Sequence, residues 1–219
     1  MAQRPRMLED FVSVVEPRHT ALLVLDMQND FCAPGGKVFD SMGPQASAIR
    51  SVIDPLKRLL EVGRQFGLLR IFVQTTHLKG GVDESPAYVA SLKKKGFQSG
   101  DEPNVVVDSW GHRIIDDVAV AADEIVIQKF SYDAFHNSLL DAVLRNYDIR
   151  TVLLCGAASY GVVLTTARTA ACRGYYVHVV KDSVAGYSEE LHRAALALMR
   201  HELVTTEDLF QAWSARGTK

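Results

Sequence analysis

Short apolar runs alternate along this chain with longer segments in which apolar residues recur at helical spacing. The runs are continuous and rich in Val, Ile and Leu, a pattern typical of parallel strands buried on both faces. They predict strands at residues 21–26, 69–74, 124–128, 151–155, 176–180 and 203–205. The longer segments predict helices at residues 45–66, 86–95, 113–121, 135–147, 161–173, 188–200 and 206–214. This alternation favours an α/β fold in which helices lie on both sides of a mostly parallel sheet of about six strands.

No stretch of the 219 residues has the composition of a linker. We therefore expect one domain over residues 1–219, with residues 1–18 as an N-terminal extension. Residues 79–84 and 97–110 are polar, contain glycine and are predicted to be loops able to cover a site.

Charge and hydropathy limit the classes of partner. The formal net charge is −2 and the charged residues are interspersed, which gives no reason to expect nucleic acid or a membrane surface. A small-molecule substrate is the expectation. The N-terminus lacks the apolar region of a secretory signal, and no later run approaches the roughly 18 apolar residues that span a bilayer. We expect a cytoplasmic protein.

The three cysteines, Cys32, Cys155 and Cys172, contain no CxxC pair. Their number and spacing predict reduced thiols, with neither structural disulfides nor a thiolate metal site. Cys155 within a strand and Cys172 on a helix are expected to be packing residues, whereas Cys32 is placed near the rim of a pocket.

Polar residues interrupt the carboxyl ends of three predicted strands. Asp26 ends the first strand, Lys129 ends the third, and Gly156 to Ser159 follow the fourth. Parallel topology brings such ends together at the edge where ligands bind. A buried carboxylate beside an ammonium can accept a proton and anchor a substrate, but the same pair is equally compatible with a structural salt bridge under a loop.

Together these residues resemble the isochorismatase-like, or cysteine hydrolase, family from His19 to Phe210. The resemblance is carried by three motifs in order: Leu25-Asp26-Met27-Gln28-Asn29-Asp30-Phe31; Lys129-Phe130; and Cys155-Gly156-Ala157-Ala158, followed by Thr165-Thr166-Ala167-Arg168 and Arg173-Gly174-Tyr175. It implies a Rossmann-like fold of three α/β/α layers. It also implies an Asp-Lys-Cys triad that hydrolyses amide or ureido C–N bonds without a cofactor. Asp26 matches the base and Lys129 the lysine. The family cysteine falls on Val162.

The resemblance also places an oxyanion hole and a cis peptide bond at the end of the fourth strand. The backbone N–H groups of Ala158 and Val162 would form the oxyanion hole, at the start of a helix whose dipole favours negative charge. The family's cis bond would join Ala157 and Ala158.

Valine cannot attack a carbonyl, and three interpretations of Val162 stay open. The protein is a cysteine hydrolase with an altered nucleophile position; or it works without a thiol, as isochorismatases do when an Asp acts as general acid on a vinyl ether; or it binds a ligand without catalysis. The His that accompanies the vinyl-ether pattern is absent, since Ser159 and Tyr160 occupy that region.

Aromatic residues beside the motifs predict the walls of a pocket, formed by Phe31, Phe130, Tyr132 and Tyr160. In nicotinamidases of the family an Asp-x-His motif binds a metal, whereas Gln74-Thr75-Thr76-His77 lacks the carboxylate. We therefore expect no metal and assign His77 to the pocket as a hydrogen-bonding group. The composition of the loop after Asp26 resembles the ureido-hydrolysing branch.

The family resemblance implies a homodimer or homotetramer. The last predicted helix carries Leu209, Phe210 and Trp213, which would offer an apolar surface for assembly or pack on the chain's own sheet.

Overall fold

Six parallel strands form the central sheet in a computed structural model that describes residues 7–94 and 103–215. They are β1 (Thr20–Leu25), β2 (Leu69–Thr75), β3 (Ile125–Lys129), β4 (Thr151–Ala157), β5 (Tyr176–Ala185) and β6 (Leu203–Val204). Their order is β3-β2-β1-β4-β5-β6. The central strands β1 and β4 are buried along their whole length, as their uninterrupted apolar sequences predict. The predicted α/β fold is confirmed.

Ten α-helices lie within the described residues. They are α1 (Phe11–Val14), α2 (Asn29–Cys32), α3 (Lys37–Met42), α4 (Ser47–Arg50), α5 (Ile53–Gln65), α6 (Pro86–Lys94), α7 (Leu140–Asn146), α8 (Leu164–Cys172), α9 (Glu189–Leu198) and α10 (Thr206–Ser214). Right-handed crossovers place α5 on one face of the sheet and α8 on the other. Helices α1 and α10 pack on the α5 side, and α9 packs beside the segment that leads into α8.

Three predicted helices are broken, shortened or not formed in the structure. The segment at residues 113–121 is extended apart from a 3₁₀ turn at Asp116–Val118, because Ile115 pairs its N–H with the Met27 carbonyl. The segment at residues 45–66 is broken into a 3₁₀ turn at Gly43–Ala46 and helices α4 and α5. The segment at residues 135–147 becomes helical only at Leu140. Tertiary hydrogen bonds overrode local periodicity in the first case.

The helix predicted at residues 161–173 begins instead as a π-helix, Ser159–Val163, and continues as α8. Of the predicted helix at residues 86–95, the last residue lies outside the described residues. The same holds for residues 97–102 of the predicted loop and for residues 1–6 of the N-terminal extension.

The last helix packs inward. Leu209 and Trp213 of α10 are almost fully buried, and the Trp213 indole N–H donates to the Val15 carbonyl at 2.6 Å. Phe210 is half-buried and its ring lies 6.2 Å from that of Phe66. The expectation that Leu209 and Trp213 form an assembly surface is therefore wrong, and the alternative of packing on the chain's own sheet is correct for these residues.

Strand register fixes where the site forms. Leu25, the last residue of β1, pairs with Gly156 of β4 on one side and with Val73 of β2 on the other. Thr75 of β2 pairs with Lys129 of β3. The strand order reverses between β1 and β4, and open α/β sheets bind ligands beyond the carboxyl ends of the strands at such a switch point. No described helix is long and apolar enough to cross a membrane.

Candidate active site

A buried carboxylate, ammonium and hydroxyl meet at the carboxyl ends of β1, β2 and β3. Lys129 Nζ lies 3.0 Å from Asp26 Oδ2, and the Thr75 hydroxyl donates to the same oxygen at 2.9 Å. Lys129 also donates to Thr75 Oγ1 and, at 2.9 Å, to the Ser131 carbonyl. Lys129 is only 1% exposed, so these three partners take the place of water around its ammonium group.

Asp26 has an unusual backbone conformation and one carboxylate oxygen without a hydrogen-bond partner. Its φ of 53° lies in the left-handed region, which Asp tolerates better than most residues and which is common at functional sites. Burial raises the pKa of Asp26, against the opposing effects of the Lys129 charge and the Lys129 and Thr75 hydrogen bonds. Oδ1 is buried and has no hydrogen-bond partner. Among the described residues, this buried oxygen therefore has no hydrogen-bond donor.

The end of β4 carries the third element of the site. Gly156 has φ of 106°, and a Cβ there would lie 2.1 Å from the Leu25 carbonyl oxygen, so only glycine allows β4 to lie this close to β1. The peptide bond between Ala157 and Ala158 is cis, at the position where the family resemblance places one. Val162 follows in the π-helix and is buried at 3% exposure.

The π-helix is fixed from two sides. Ser159 is fully buried, and its hydroxyl lies 3.0 Å from Nδ1 of His192 on α9. A Cβ on Gly161 would lie 3.9 Å from Tyr132 Cδ1, so the segment after Lys129 reaches the residue next to Val162. The structure thus brings the neighbourhoods of Lys129 and Val162 together.

The remaining polar residues of the first motif hold loops. Gln28 accepts from the Thr75 N–H and donates to the Thr75 and His112 carbonyls. Asp30 accepts from the N–H groups of Lys37 and Val105. Only Asp26 in this motif belongs to the charged cluster, and its neighbours anchor the chain around it.

A second polar group lies just beyond β2. His77 Nδ1 is 2.8 Å from Asp83 Oδ2, and Asp83 Oδ1 accepts from the Leu78 N–H at 2.8 Å. His77 Nε2 is buried with no hydrogen-bond partner and lies 3.9 Å from Glu84 Oε1. The Tyr88 ring lies 5.8 Å from the His77 ring.

Tyr88 links this group to the charged cluster. Its ring lies 6.0 Å from that of Tyr132. Its pKa is raised by burial and then by the nearby Tyr132, Glu84 and Asp26. The sequence analysis placed His77 and Tyr132 in the pocket but missed Thr75, Asp83, Glu84 and Tyr88. The available signals were a Thr in the strand-end run that holds His77 and the two carboxylates of the predicted loop at residues 79–84.

The four predicted aromatic walls are placed differently from one another. Tyr132 contacts Tyr88 and lies beside Gly161, although it is 41% exposed. Phe130 is 42% exposed. Phe31 is half-buried, and its carbonyl accepts from the Tyr187 hydroxyl at 2.8 Å. Tyr160 is half-buried beside Gly186. Only Tyr132 is linked by ring contacts to His77.

The cysteines do not supply a replacement nucleophile within this geometry. Cys32 and Cys155 are fully buried, and burial raises the pKa of each thiol. Cys32 Sγ lies 3.8 Å from the Asp26 carbonyl oxygen. A reactive cysteine needs a lowered pKa, which these two lack. Cys172 is exposed, so its expected packing role is wrong.

No group of three or more His, Cys, Asp or Glu side chains suited to a metal ion occurs in the part of the chain that the structure describes. His77 has carboxylate neighbours, but Asp83 engages the ring nitrogen opposite the unpartnered one.

A buried Asp–Lys pair lies at the switch point of the parallel sheet of this Rossmann-like fold, and the π-helix follows the neighbouring strand β4. The chain belongs to the isochorismatase family: the family's model, the isochorismatase domain, matches residues 20–208.

Two proteins named as ureidoacrylate amidohydrolases are similar to this chain over most of its length. The ureidoacrylate amidohydrolase RutB of Caulobacter segnis is 30% identical over 190 residues, covering 83% of this chain and 79% of that protein. The RutB of Klebsiella variicola is 28% identical over 204 residues, covering 90% and 83%. Together with the family match, these relatives make the chain a hydrolase.

Solved structures support the fold. A cysteine hydrolase from Pseudomonas syringae pv. phaseolicola superposes with a TM-score of 0.76 at 23% identity, covering 92% of this chain and 95% of that one. Nicotinamidase PncA from Bacillus subtilis gives 0.70 at 22% identity, covering 85% and 98%.

Proposed function

We propose that this protein binds a small amide or ureido compound between Asp26, Lys129 and the π-helix, in a pocket built for hydrolysis of a C–N bond. The observation that carries the proposal is the buried Asp26 carboxyl, which is paired with Lys129 through one oxygen and has the other unpartnered. A proton-transfer group needs a free oxygen within reach of the reacting atom. The similarity to ureidoacrylate amidohydrolases supports the substrate class.

In this proposal Asp26 transfers the proton, and Lys129 orients the Asp26 side chain. In a thiol mechanism, Asp26 takes the proton of a cysteine, the thiolate attacks the carbonyl, and the N–H groups of Ala158 and Val162 receive the developing oxyanion. Val162 has neither proton nor lone pair, so the covalent route is closed in the sequence as it stands. The proposal therefore makes Val162→Cys the change that opens this route.

The experiment is ammonia release from a panel of small amides and ureido compounds by the native protein and by Val162→Cys, side by side. Turnover by the cysteine form alone is the expected result and identifies a hydrolase pocket that lacks its nucleophile. Equal turnover by both forms contradicts the thiol route. Turnover by neither, together with saturable ligand binding, would favour a binding protein.

A second function is favoured by one further observation. Burial raises the pKa of Asp26, which favours the protonated acid that vinyl-ether hydrolysis of the isochorismatase type requires. The native sequence would then hydrolyse a vinyl ether without any thiol, and Asp26→Asn would abolish that turnover. A native protein that leaves such an ether intact excludes this function.

The assembly state and cellular location extend the same proposal. We propose a cytoplasmic homodimer or homotetramer. Sedimentation equilibrium of the purified full chain would test the first point, and a mass of one chain would contradict it.

A further inference from the structure

The second polar group described above, His77 with Asp83 and Glu84, is not used by the proton-transfer chemistry of Asp26. The His77 side chain is 4% exposed, yet its Nε2 has no hydrogen-bond partner. A buried polar atom left unpaired costs stability unless something outside the chain satisfies it. The unpaired nitrogen therefore points to a ligand.

The tautomer of His77 decides what that ligand must supply. Asp83 can only accept hydrogen bonds when ionised, so Nδ1 of His77 carries the proton that Asp83 Oδ2 receives at 2.8 Å. Hydrogen bonds from the Leu78 N–H and from His77 outweigh burial and lower the pKa of Asp83, so that it stays ionised. In a neutral imidazole the other nitrogen then bears a lone pair and accepts.

The His77 side chain lies on the same side of the chain as the Thr75–Asp26 contact. Thr75 and His77 are two residues apart along an extended segment, so their side chains leave the same side of the strand, and Thr75 contacts Asp26. Tyr88 contacts the His77 ring and lies within electrostatic range of Asp26. Glu84 Oε1, 3.9 Å from Nε2, adds a second acceptor.

We propose that His77 Nε2 and Glu84 form a specificity-determining subsite that binds the unsubstituted –NH2 of a ureido group or primary amide. An –NH2 offers two donors to the two acceptors, and an N,N-dialkylated group offers none. The inference rests on the proposed function for the reaction, but the recognition it describes is measurable without turnover.

Asp83→Asn is the sharp test because it leaves His77 in place. The Leu78 N–H requires an oxygen, so the new amide turns its Oδ1 to Leu78 and its –NH2 to His77 Nδ1. Nδ1 must then accept, and Nε2 becomes a donor that no longer suits an –NH2. Asp54→Asn makes the same chemical change on the exposed surface of α5 and serves as the control.

The probes are phenylurea and 1,1-dimethyl-3-phenylurea, titrated by calorimetry into the native full chain and both variants. The native protein and Asp54→Asn should bind phenylurea at least about tenfold more tightly than its dimethyl analogue, the effect of one lost hydrogen bond to a buried group. In Asp83→Asn the ratio should fall to within about twofold. Because both ligands meet the same pocket shape in each variant, the change in ratio excludes a purely steric cause.

A second measurement covers the case in which Asp83→Asn fails to fold. ¹⁵N chemical shifts of the histidine rings, with His77 assigned by its loss in His77→Asn, should show protonated Nδ1 and unprotonated Nε2 in the native protein. A protonated Nε2, equal affinity for the two ureas, or no saturable binding of either overturns the inference. Discrimination between the ureas without ammonia release by any form leaves the subsite standing and contradicts the proposed reaction.

Discussion

Strands β2 and β3 border a buried ionic cluster at each end of the sheet. The carboxylates of the two clusters differ in how many of their oxygens have hydrogen-bond partners. At the amino end, Glu124 has a fully buried side chain whose Oε1 accepts from Arg64 at 2.9 Å and from Arg70 at 2.8 Å. Its Oε2 accepts from Arg64 at 3.1 Å and from the Ala121 N–H at 2.7 Å. Both of its oxygens are occupied.

At the carboxyl end, Asp26 has one cationic partner, Lys129, and one oxygen without a partner. The pKa values of the two carboxyls diverge accordingly. Burial raises the pKa of Asp26 more than its partners lower it, whereas for Glu124 the hydrogen bonds from Arg64, Ala121 and Arg70 overcome burial and lower the pKa. A carboxylate with hydrogen-bond partners on both oxygens stabilises the fold, whereas a carboxylate with one unpartnered oxygen is available for chemistry.

The largest effect is expected for Asp26→Asn. In whichever form is active, native or Val162→Cys, turnover should fall by about 10²–10⁴-fold because the proton-transfer group is lost. The unfolding free energy should also fall, because the buried Lys129 ammonium loses its carboxylate partner, although the amide keeps the Thr75 hydrogen bond. Ammonia release and urea denaturation measure the two quantities.

Glu124→Gln is the matched control at the other end of the strands. It should lower the unfolding free energy by about 3 kcal/mol, because two arginines lose their shared carboxylate and Arg70 is only 7% exposed. Turnover below the unfolding transition should be unchanged. Loss of activity with intact stability in Glu124→Gln would erase the distinction between the clusters.

The unfolding free energies of the native protein and Glu124→Gln can also be compared as a function of pH. The folded pKa of Glu124 lies below its usual value of 4.5, so its contribution to stability is complete above that value and is lost as the pH falls through the folded pKa. The difference in unfolding free energy between the native protein and Glu124→Gln should stay constant near neutrality and shrink in acid. A difference that grows in acid would mean that the pKa of Glu124 is raised.

The smallest effect is expected for Thr75→Val, which keeps the side-chain shape and removes a hydrogen bond to Asp26. The unfolding free energy should fall by about 1 kcal/mol. Because the ionised carboxylate loses a donor, the pKa of Asp26 should rise, and the acid limb of the pH–rate profile of the active form should move to higher pH. An unmoved limb would show that Thr75 has no influence on Asp26.

Much of this arrangement could be predicted from the sequence. Apolar runs located all six strands, and the polar residues at their ends identified Asp26 and Lys129, which the structure places 3.0 Å apart. The helix at residues 113–121 was wrong because its backbone pairs with the first loop instead of with itself. Periodicity reports which residues are apolar and carries no information about distant hydrogen-bond partners.

Glu84 and Tyr88 illustrate what the sequence could not show. Glu84 lies in a stretch predicted to be a loop able to cover a site, but the residue itself was given no role. Tyr88 lies in a helix of no predicted role, and neither residue belongs to a recognised motif. Their place near His77 depends on how the chain turns after β2, which is fixed by the hydrogen bonds of Asp83 to His77 and Leu78.

The sequence by itself determined the fold class and the strand ends that carry charge, and the family resemblance predicts that Val162 stands at the cysteine position. Only the tertiary structure decided that Asp26 keeps one unpaired oxygen, that His77 presents an unpaired nitrogen, and that both oxygens of Glu124 have hydrogen-bond partners. The spacing of apolar residues and the residue types at strand ends are local properties that follow directly from the order of residues. Whether a buried polar atom finds a hydrogen-bond partner depends on distant segments of the chain, which become neighbours only after the chain has folded.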